Sequence, residues 1–391
     1  MMLIKIDQPI VRRNIEACKS EQEAPMALQT ASSPDGLEGV VAAHTVLSEV
    51  DGAAGRLIIR GRSLDDLAAG VPFEALVGLL FDGFFDDLPA DLAPALGRAR
   101  AEVFAEVAHL DPALAAHEPV VAVRALMARL ADADDLATAL RLVAAPAVFT
   151  PAVVRAQAGK APVAPDPALG HAADILRMLH GTPATREAVA GLDTYLVTVS
   201  DHGLNASTFA ARVVASTRAG LTSAALAGLG ALKGPLHGGA PGPVIEMLDE
   251  IGAPENARAW IEAALARKER LMGFGHRIYR VRDPRADALK GPVRALAAAK
   301  GGGRVAFAEA VEQAALDILK AHKPDRPLDT NVEFYTALLL EALAFPPSAF
   351  TCVFAMGRVA GWMAHAREQL AGGRLIRPQS VYVGPLPLQA A

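Results

Sequence analysis

The sequence predicts an all-α protein with one small β-hairpin near its N-terminal end. Two observations carry the helical part. From about residue 62 onward, apolar residues recur at helical spacing in segment after segment. The 391-residue chain is 52% hydrophobic, yet only 5% aromatic and rich in alanine, which suits closely packed helices. A third observation places the hairpin: the β-rich runs are confined to residues 40–61, around Asp51-Gly52 and Gly55.

The elements follow in order. Residues 1–35 read as an N-terminal arm, mixing charges with QTASSPDG and holding no period. After the hairpin, a helix over 73–84 starts behind Pro72. The next, over 92–110, carries Leu96, Val103, Val107 and Leu110 on or near one face. Helices over 118–130 and 136–148 follow. That over 166–179 ends at His180-Gly181, a C-cap signal. The spacing then predicts helices over 186–199, 207–232, 255–271, 304–321, 332–343 and 347–370. The Pro-rich run 161–167 and the glycines 301–303 read as loops. No fixed-period repeat is evident.

Composition excludes several classes of function. Charged residues make up 21% of the chain, which rules out disorder over most of its length. A net charge of -5 argues against bulk nucleic-acid binding. Cys18 and Cys352 are too few for a disulfide framework or a cysteine-built metal site. The uncharged stretches at 219–232 and 342–357 fall short of a membrane span. The N-terminus lacks the apolar run of a signal peptide, so the expected location is cytoplasmic.

Three histidine-centred segments carry the candidate chemistry. The first is DHGLNAST at 201–208. His202 alone reads as a core or capping histidine, although Asn205 and Ser207 could orient its ring. The second is KGPLHGGA at 233–240. His237 lies between Pro235 and two glycines, where a ligand can approach the backbone; a turn histidine capping a helix is the alternative. The third is LMGFGHRIYRVRDPR at 271–285. His276 is followed by Arg277, Arg280, Arg282 and Arg285, and guanidinium forks suit carboxylate or phosphate. A solvated basic face is the alternative there, and the glycines and the Asp283-Pro284 turn favour a site. Gly273 and Gly275 do not form a dinucleotide fingerprint, because Ile278 fills the sixth position. No histidine, cysteine or carboxylate spacing resembles a metal site. His322 and His365 read as surface or core residues.

Taken in order, these segments resemble citrate synthase. The likeness starts at GLEGVV (36–41) and GRLIIRG (55–61). It continues through NASTFAAR (205–212), KGPLHGGA, GFGHR (273–277), DPR (283–285), NVEFY (331–335), GRVAGW (357–362) and IRP (376–378). It covers about residues 36–384 and is weakest over 62–200. The resemblance implies a two-domain helical homodimer. Residues 36–236 and 345–391 would form the large domain, and 237–344 a small domain that closes over the substrates. It implies condensation of acetyl-CoA with oxaloacetate to citrate, a step of the tricarboxylic acid cycle, or the propionyl-CoA reaction of 2-methylcitrate synthase. A non-catalytic paralogue binding a CoA thioester or dicarboxylate is the alternative of another kind. No cofactor is implied, since acetyl-CoA is a substrate, and neither nucleic acid nor membrane is an expected partner.

The resemblance also implies roles. His237 would stabilise the enol of the thioester, His276 would polarise the oxaloacetate carbonyl, and Glu333 would be the base. His202, Arg285, Arg358 and Arg377 would bind oxaloacetate, with Arg377 reaching across the dimer. Arg280 would face coenzyme A phosphates and the backbone of Leu271, Gly273 and Gly275 its adenine. Asn205, Ser207 and Asn331 would support them. Three departures stand out: Glu333 replaces the family's aspartate, Pro241-Gly242-Pro243 replaces its Asn-Glu, and Gly203 replaces a glutamate. A methylene moves a carboxylate by about 1 Å, a misplacement that can cost on the order of 100-fold.

Overall fold

The computed structural model describes residues 35–37, 39–237, 241–298, 302–323 and 328–385. Residues 1–34 of the expected arm lie outside the described residues, as do 238–240 of the second histidine segment and Gly301 of the glycine loop. By its internal contacts the chain divides at His44. In the first unit, the short turn Asp35–Leu37 leads to Val40, whose N–H donates to the Leu37 carbonyl at 3.1 Å. The second unit, Thr45–Ala391, holds the elements below.

The hairpin is β1 (Ser48–Asp51) and β2 (Arg56–Ile59), antiparallel with Ser48 opposite Ile59 and Asp51 opposite Arg56. Asp51 Oδ1 fixes the turn by accepting from the N–H groups of Ala53 and Ala54 at 3.1 and 2.9 Å. A third strand, β3 (Arg62–Ser63), pairs with β2 and leads into the first helix.

The rest is helical: α1 (Leu64–Ala68), α2 (Phe73–Phe81), α3 (Ala93–Val103), α4 (Pro112–Ala115), α5 (Pro119–Met127), α6 (Leu136–Gln157), α7 (His171–His180) and α8 (Arg186–Val199). Then come α9 (Ala206–Ser216), α10 (Leu221–Leu232), α11 (Pro241–Ile251), α12 (Ala257–Ala266), α13 (Pro284–Ala298), α14 (Gly303–His322), α15 (Val332–Ala342) and α16 (Phe350–Gly372). The all-α expectation holds, and Gly181 caps α7 in the left-handed region at φ 81° as its position suggested.

The differences have physical causes. The expected helix over 207–232 is two, α9 and α10, which pack against each other. Arg218 and Gly220 at φ 62° and 97° turn the chain between them, and the Asp132 carboxylate caps α10 by accepting from Ser223 N–H at 3.1 Å. Helix α6, which already held Pro146 within its expected span, runs nine residues past its expected end at Val148, through Pro151. Its burial overrides the cost of two prolines, and the Thr150 hydroxyl donates to the Pro146 carbonyl at 2.6 Å. Among the described residues α6 is the one helix long and apolar enough to cross a membrane, and 83% of that apolar window is buried inside the protein.

The core is organised around α16, which packs on α6, α8, α9 and α10. Gly357 and Gly361 make the α8 contact possible. A Cβ at Gly357 would lie 2.8 Å from the Leu196 carbonyl oxygen, and one at Gly361 2.3 Å from that of Ser200. Between them Arg358 donates from Nε to the Val199 carbonyl at 2.6 Å. The GRVAGW motif is therefore a packing face that seats a buried arginine at the C-terminal end of α8.

Candidate functional site

The end of α8 delivers Asp201, His202 and Gly203 beside that arginine. Burial pushes the Asp201 carboxyl up, but His365, the Ser48 hydroxyl and Arg358 outweigh it and hold the carboxyl below its usual range. His365 Nε2 lies 3.2 Å from Asp201 Oδ1, and Ser48 Oγ accepts from Gly203 N–H at 3.0 Å. Strand β1 thus grips the His202 loop on both sides of the histidine. His202 is 6% exposed, and burial, with the charges of Arg285 and Arg358 and neighbouring His276 and His237, holds it well below the usual imidazole range. It is neutral at pH 7.

The His276 loop is held as firmly. Its Nδ1 accepts from the N–H groups of Ile278 and Tyr279 at 3.0 and 3.1 Å. Two amide donors on Nδ1 put the ring hydrogen of the neutral form on Nε2. Burial, then Arg285, lowers this histidine to about 4. Arg285 Nη2 lies 3.0 Å from that Nε2. Two N–H-bearing nitrogens therefore converge, and an oxygen facing both could accept from each. Asp283 orients the arginine, accepting from its Nε and Nη2 at 3.0 and 2.9 Å. Outside the loop, the Gly52 carbonyl of the hairpin turn accepts from Arg280 N–H at 2.9 Å.

Arg358 completes the cationic side. It is 1% exposed, its Nη2 has no hydrogen-bond acceptor among the described residues, and burial lowers it to about 10, with Arg285 adding to the effect. Two buried guanidinium groups that repel each other, beside two neutral histidines, form a receptor for a dianion.

His237 is held differently. Its Nε2 lies 2.8 Å from Ser207 Oγ, which also accepts from Trp362 Nε1 at 3.1 Å. The Ser207 hydrogen has two acceptors within reach, His237 and Asn205 Oδ1 at 2.8 Å. When it donates to His237, the ring hydrogen sits on Nδ1. Burial, then Arg358, lowers His237 to about 4, so this ring too is neutral at pH 7.

Glu333 stands in the first turn of α15, whose N-cap Asn331 accepts from Glu333 N–H at 3.0 Å. Asn331 Nδ2 donates to the Gly275 carbonyl at 2.9 Å, and Asp283 Oδ2 accepts from Val332 N–H at 3.0 Å. The same carboxylate that orients Arg285 thereby fixes the helix that carries Glu333. Burial raises the Glu333 carboxyl above its ordinary value, against the pull of Arg285 and Arg270. A carboxylate so raised is a stronger base.

A cleft of about 510 Å³ adjoins the His276 loop, lined by Leu271, Phe274, Gly275 and His276. Lys268, Arg270, Arg277 and Lys323 also line it. Arg280, expected to face phosphates, is exposed and does not line this cleft, nor does buried Gly273, which packs on Phe334. Arg282 pairs instead with Asp65 and Asp287. Arg377 is not brought to the site of its own chain: the preceding Ile376 N–H donates to Ser216 Oγ at 3.0 Å, at the far end of α9. That helix is about 16 Å long and starts beside His202. His365 is a core residue and His322 an exposed one at the rim of the cleft.

Sequence reasoning missed Ser48, Asp201, Tyr279, Asp283, Trp362 and, in the cleft, Lys268, Arg270 and Lys323, while Arg277 was among the arginines it named. Asp201 and Asp283 had a signal, each being an acidic residue within a motif already singled out. Trp362 had one as well, as the last residue of GRVAGW, whereas Ser48 had none, since its partner is 155 positions away.

Comparison with known proteins shows the family. The family model described as citrate synthase, C-terminal domain, matches residues 36–379. A putative citrate synthase 2 of Mycobacterium tuberculosis is 40% identical over 360 residues, 90% of this chain and 93% of that one. A 2-methylcitrate synthase of the same organism is 36% identical over 389 residues, 95% of each. The fold matches the ternary complex of carboxymethyl coenzyme A and oxaloacetate with the citrate synthase of Thermoplasma acidophilum. The TM-score is 0.80 at 29% identity, covering 91% of this chain and 97% of that one. The chain belongs to the citrate synthase family and is an enzyme of the citrate synthase type.

Proposed function

We propose that the protein condenses acetyl-CoA with oxaloacetate, giving citrate and CoA. The observation that carries this is the convergence of donors: His276 Nε2 against Arg285 Nη2, which keeps one hydrogen beyond the one it gives Asp283, and Arg358 Nη2, buried and without an acceptor among the described residues. A keto dicarboxylate supplies oxygens for all three. Glu333 takes a proton from the methyl group next to the thioester. Such a carbon acid is very weak, so the enolate oxygen must be stabilised as its charge develops, and the Nδ1–H that neutral His237 carries when Ser207 donates to it would take that role. The enol carbon then attacks the keto carbon, whose oxygen draws density toward His276 Nε2–H and Arg285. Water cleaves the resulting citryl thioester and releases CoA. The basic cleft beside Leu271 and Gly275 supports coenzyme A binding there. Closure of residues 237–344 over the substrates would keep water from the enol. Arg377 of a second copy would supply a further cation for oxaloacetate in a homodimer.

A second reading keeps the chemistry and changes the acyl group to propionyl, and the likeness to a 2-methylcitrate synthase favours it. One methylene in an apolar pocket is worth about 1–3 kcal/mol. The test is thiol release from acetyl-CoA and from propionyl-CoA, each with and without oxaloacetate. Oxaloacetate-dependent release with the higher kcat/KM for acetyl-CoA is expected. A higher value for propionyl-CoA selects the second reading, and no release from either overturns both.

A further inference from the structure

Tyr279 has no role in the reading above, yet it touches His276 and Arg285, which that reading gives to oxaloacetate, and His202, to which the family resemblance gives the same ligand. It is 3% exposed. Its hydroxyl lies 3.2 Å from His202 Nε2. Its ring packs on His276 at 4.8 Å between centroids and edge-on to His202 at 5.6 Å. The Arg285 guanidinium lies 5.6 Å from the ring centre, and Tyr279 N–H is one of the two amides on His276 Nδ1.

Hydrogen-bond counting gives this contact a consequence. A neutral histidine carries one ring hydrogen. With Nε2 engaged by the tyrosine, only Nδ1 of His202 is left to meet a ligand. If Nε2–H donated to the tyrosine, Nδ1 would present a lone pair and repel a carboxylate. If the tyrosine donates, Nδ1 carries the hydrogen and becomes a donor. Burial pushes the phenol up, so it keeps the hydrogen this requires.

We propose that Tyr279 is a positioning residue for the keto-acid site, its O–H fixing the ring hydrogen of His202 on Nδ1 so that His202 donates to the dicarboxylate. The inference deepens the proposed function and rests on it.

The test measures oxaloacetate binding by calorimetry and steady-state kinetics on the full chain. Tyr279→Phe keeps the ring and removes the donor. Its melting temperature should stay within about 2 °C of wild type. Its Kd and KM for oxaloacetate should rise about tenfold, with kcat and the KM for acyl-CoA changing less than about threefold. A merely structural role would instead move the melting temperature and both KM values together. The second arm places Tyr279→Phe on His202→Asn. If the tyrosine acts through His202, it should add less than about twofold there. An unchanged oxaloacetate KM in Tyr279→Phe, or the same tenfold loss in both backgrounds, overturns the proposal. A wild type that binds no oxaloacetate overturns the proposed function itself, and the inference with it.

Discussion

His276 and His237, assigned to opposite sides of the new bond, are held in contrasting ways. His276 is fixed by two backbone amides, Arg285 and the ring of Tyr279. His237 shows one side-chain hydrogen bond, to Ser207, and its neighbour Leu236 is 96% exposed. Both rings are lowered to about 4, so the contrast is mechanical rather than electrostatic. On the proposed function, the His276 side is the keto-acid side, and its hydrogen bonds are already made without substrate. On the same proposal, the His237 side is the thioester side, and closure over the substrates would complete it. An anion receptor with converging donors needs rigidity, because its cations repel each other until the anion binds. An enol site needs access for a long acyl carrier first and exclusion of water afterwards.

The largest effects should come from removing the groups that exchange protons or polarise bonds. Glu333→Ala should lower kcat by about 10²–10⁴-fold, the usual span for a general base, in a thiol-release assay at saturating substrates. A rate insensitive to this change would remove Glu333 from that role. Glu333→Asp should retain or raise the rate, since it restores the family's side chain. His276→Ala should cost at least about 10²–10³-fold in kcat/KM with the fold intact by circular dichroism. Full activity would sink the assignment of the rigid side.

The softer side should respond less. Ser207→Ala removes the hydroxyl that orients His237, and about a tenfold drop in kcat is expected, with little change in oxaloacetate KM. The opposite split would mean that Ser207 serves the keto acid. The pH profile separates the groups again. With both histidines near 4, they remain neutral from alkaline pH down to about pH 5. Glu333 is raised above its ordinary value, so the acid limb of kcat/KM should be its protonation, with the rate falling as pH falls. An acid limb near pH 6.5 that disappears in His237→Gln would contradict this. Stability carries the same sign. The unfolded chain binds protons at these histidines below about pH 6.5 and the folded one does not, so stability is lost as pH falls from there toward about 4. His276→Gln should flatten that slope in thermal melts.

What the sequence made legible follows the same division. The helical class, the hairpin and the C-cap at Gly181 are local, and periodicity and turn residues report them. The break at Gly220 and the run of α6 past Val148 through Pro151 depend on a distant cap and on burial, which local spacing does not encode. At the site, His202, His237, His276, Glu333, Arg285 and Arg358 were readable because each sits in a short distinctive motif. Arginine spacing alone misled at 277–285. The four side chains look equivalent there, but only Arg285 faces a buried aspartate two positions away, while Arg282 pairs with Asp65 and Asp287. Tyr279 and Ser48 were invisible because their significance is purely spatial.

The smallest predicted effect probes how the rigid side is kept rigid. The hairpin touches the His202 and His276 loops, with Ser48 on Gly203 and Gly52 on Ile278 and Arg280. A Cβ at Gly52 would fall 2.3 Å from the Ile278 carbonyl oxygen, so Gly52→Ala must push the turn or the His276 loop aside. Overpacking of this kind costs about 1–3 kcal/mol. The displacement should act on His276 and leave His237 alone. A rise of a few-fold in oxaloacetate KM is expected, with the acyl-CoA KM unchanged. If acyl-CoA binding weakens equally, the hairpin braces the whole site, and rigidity is not confined to the keto-acid side.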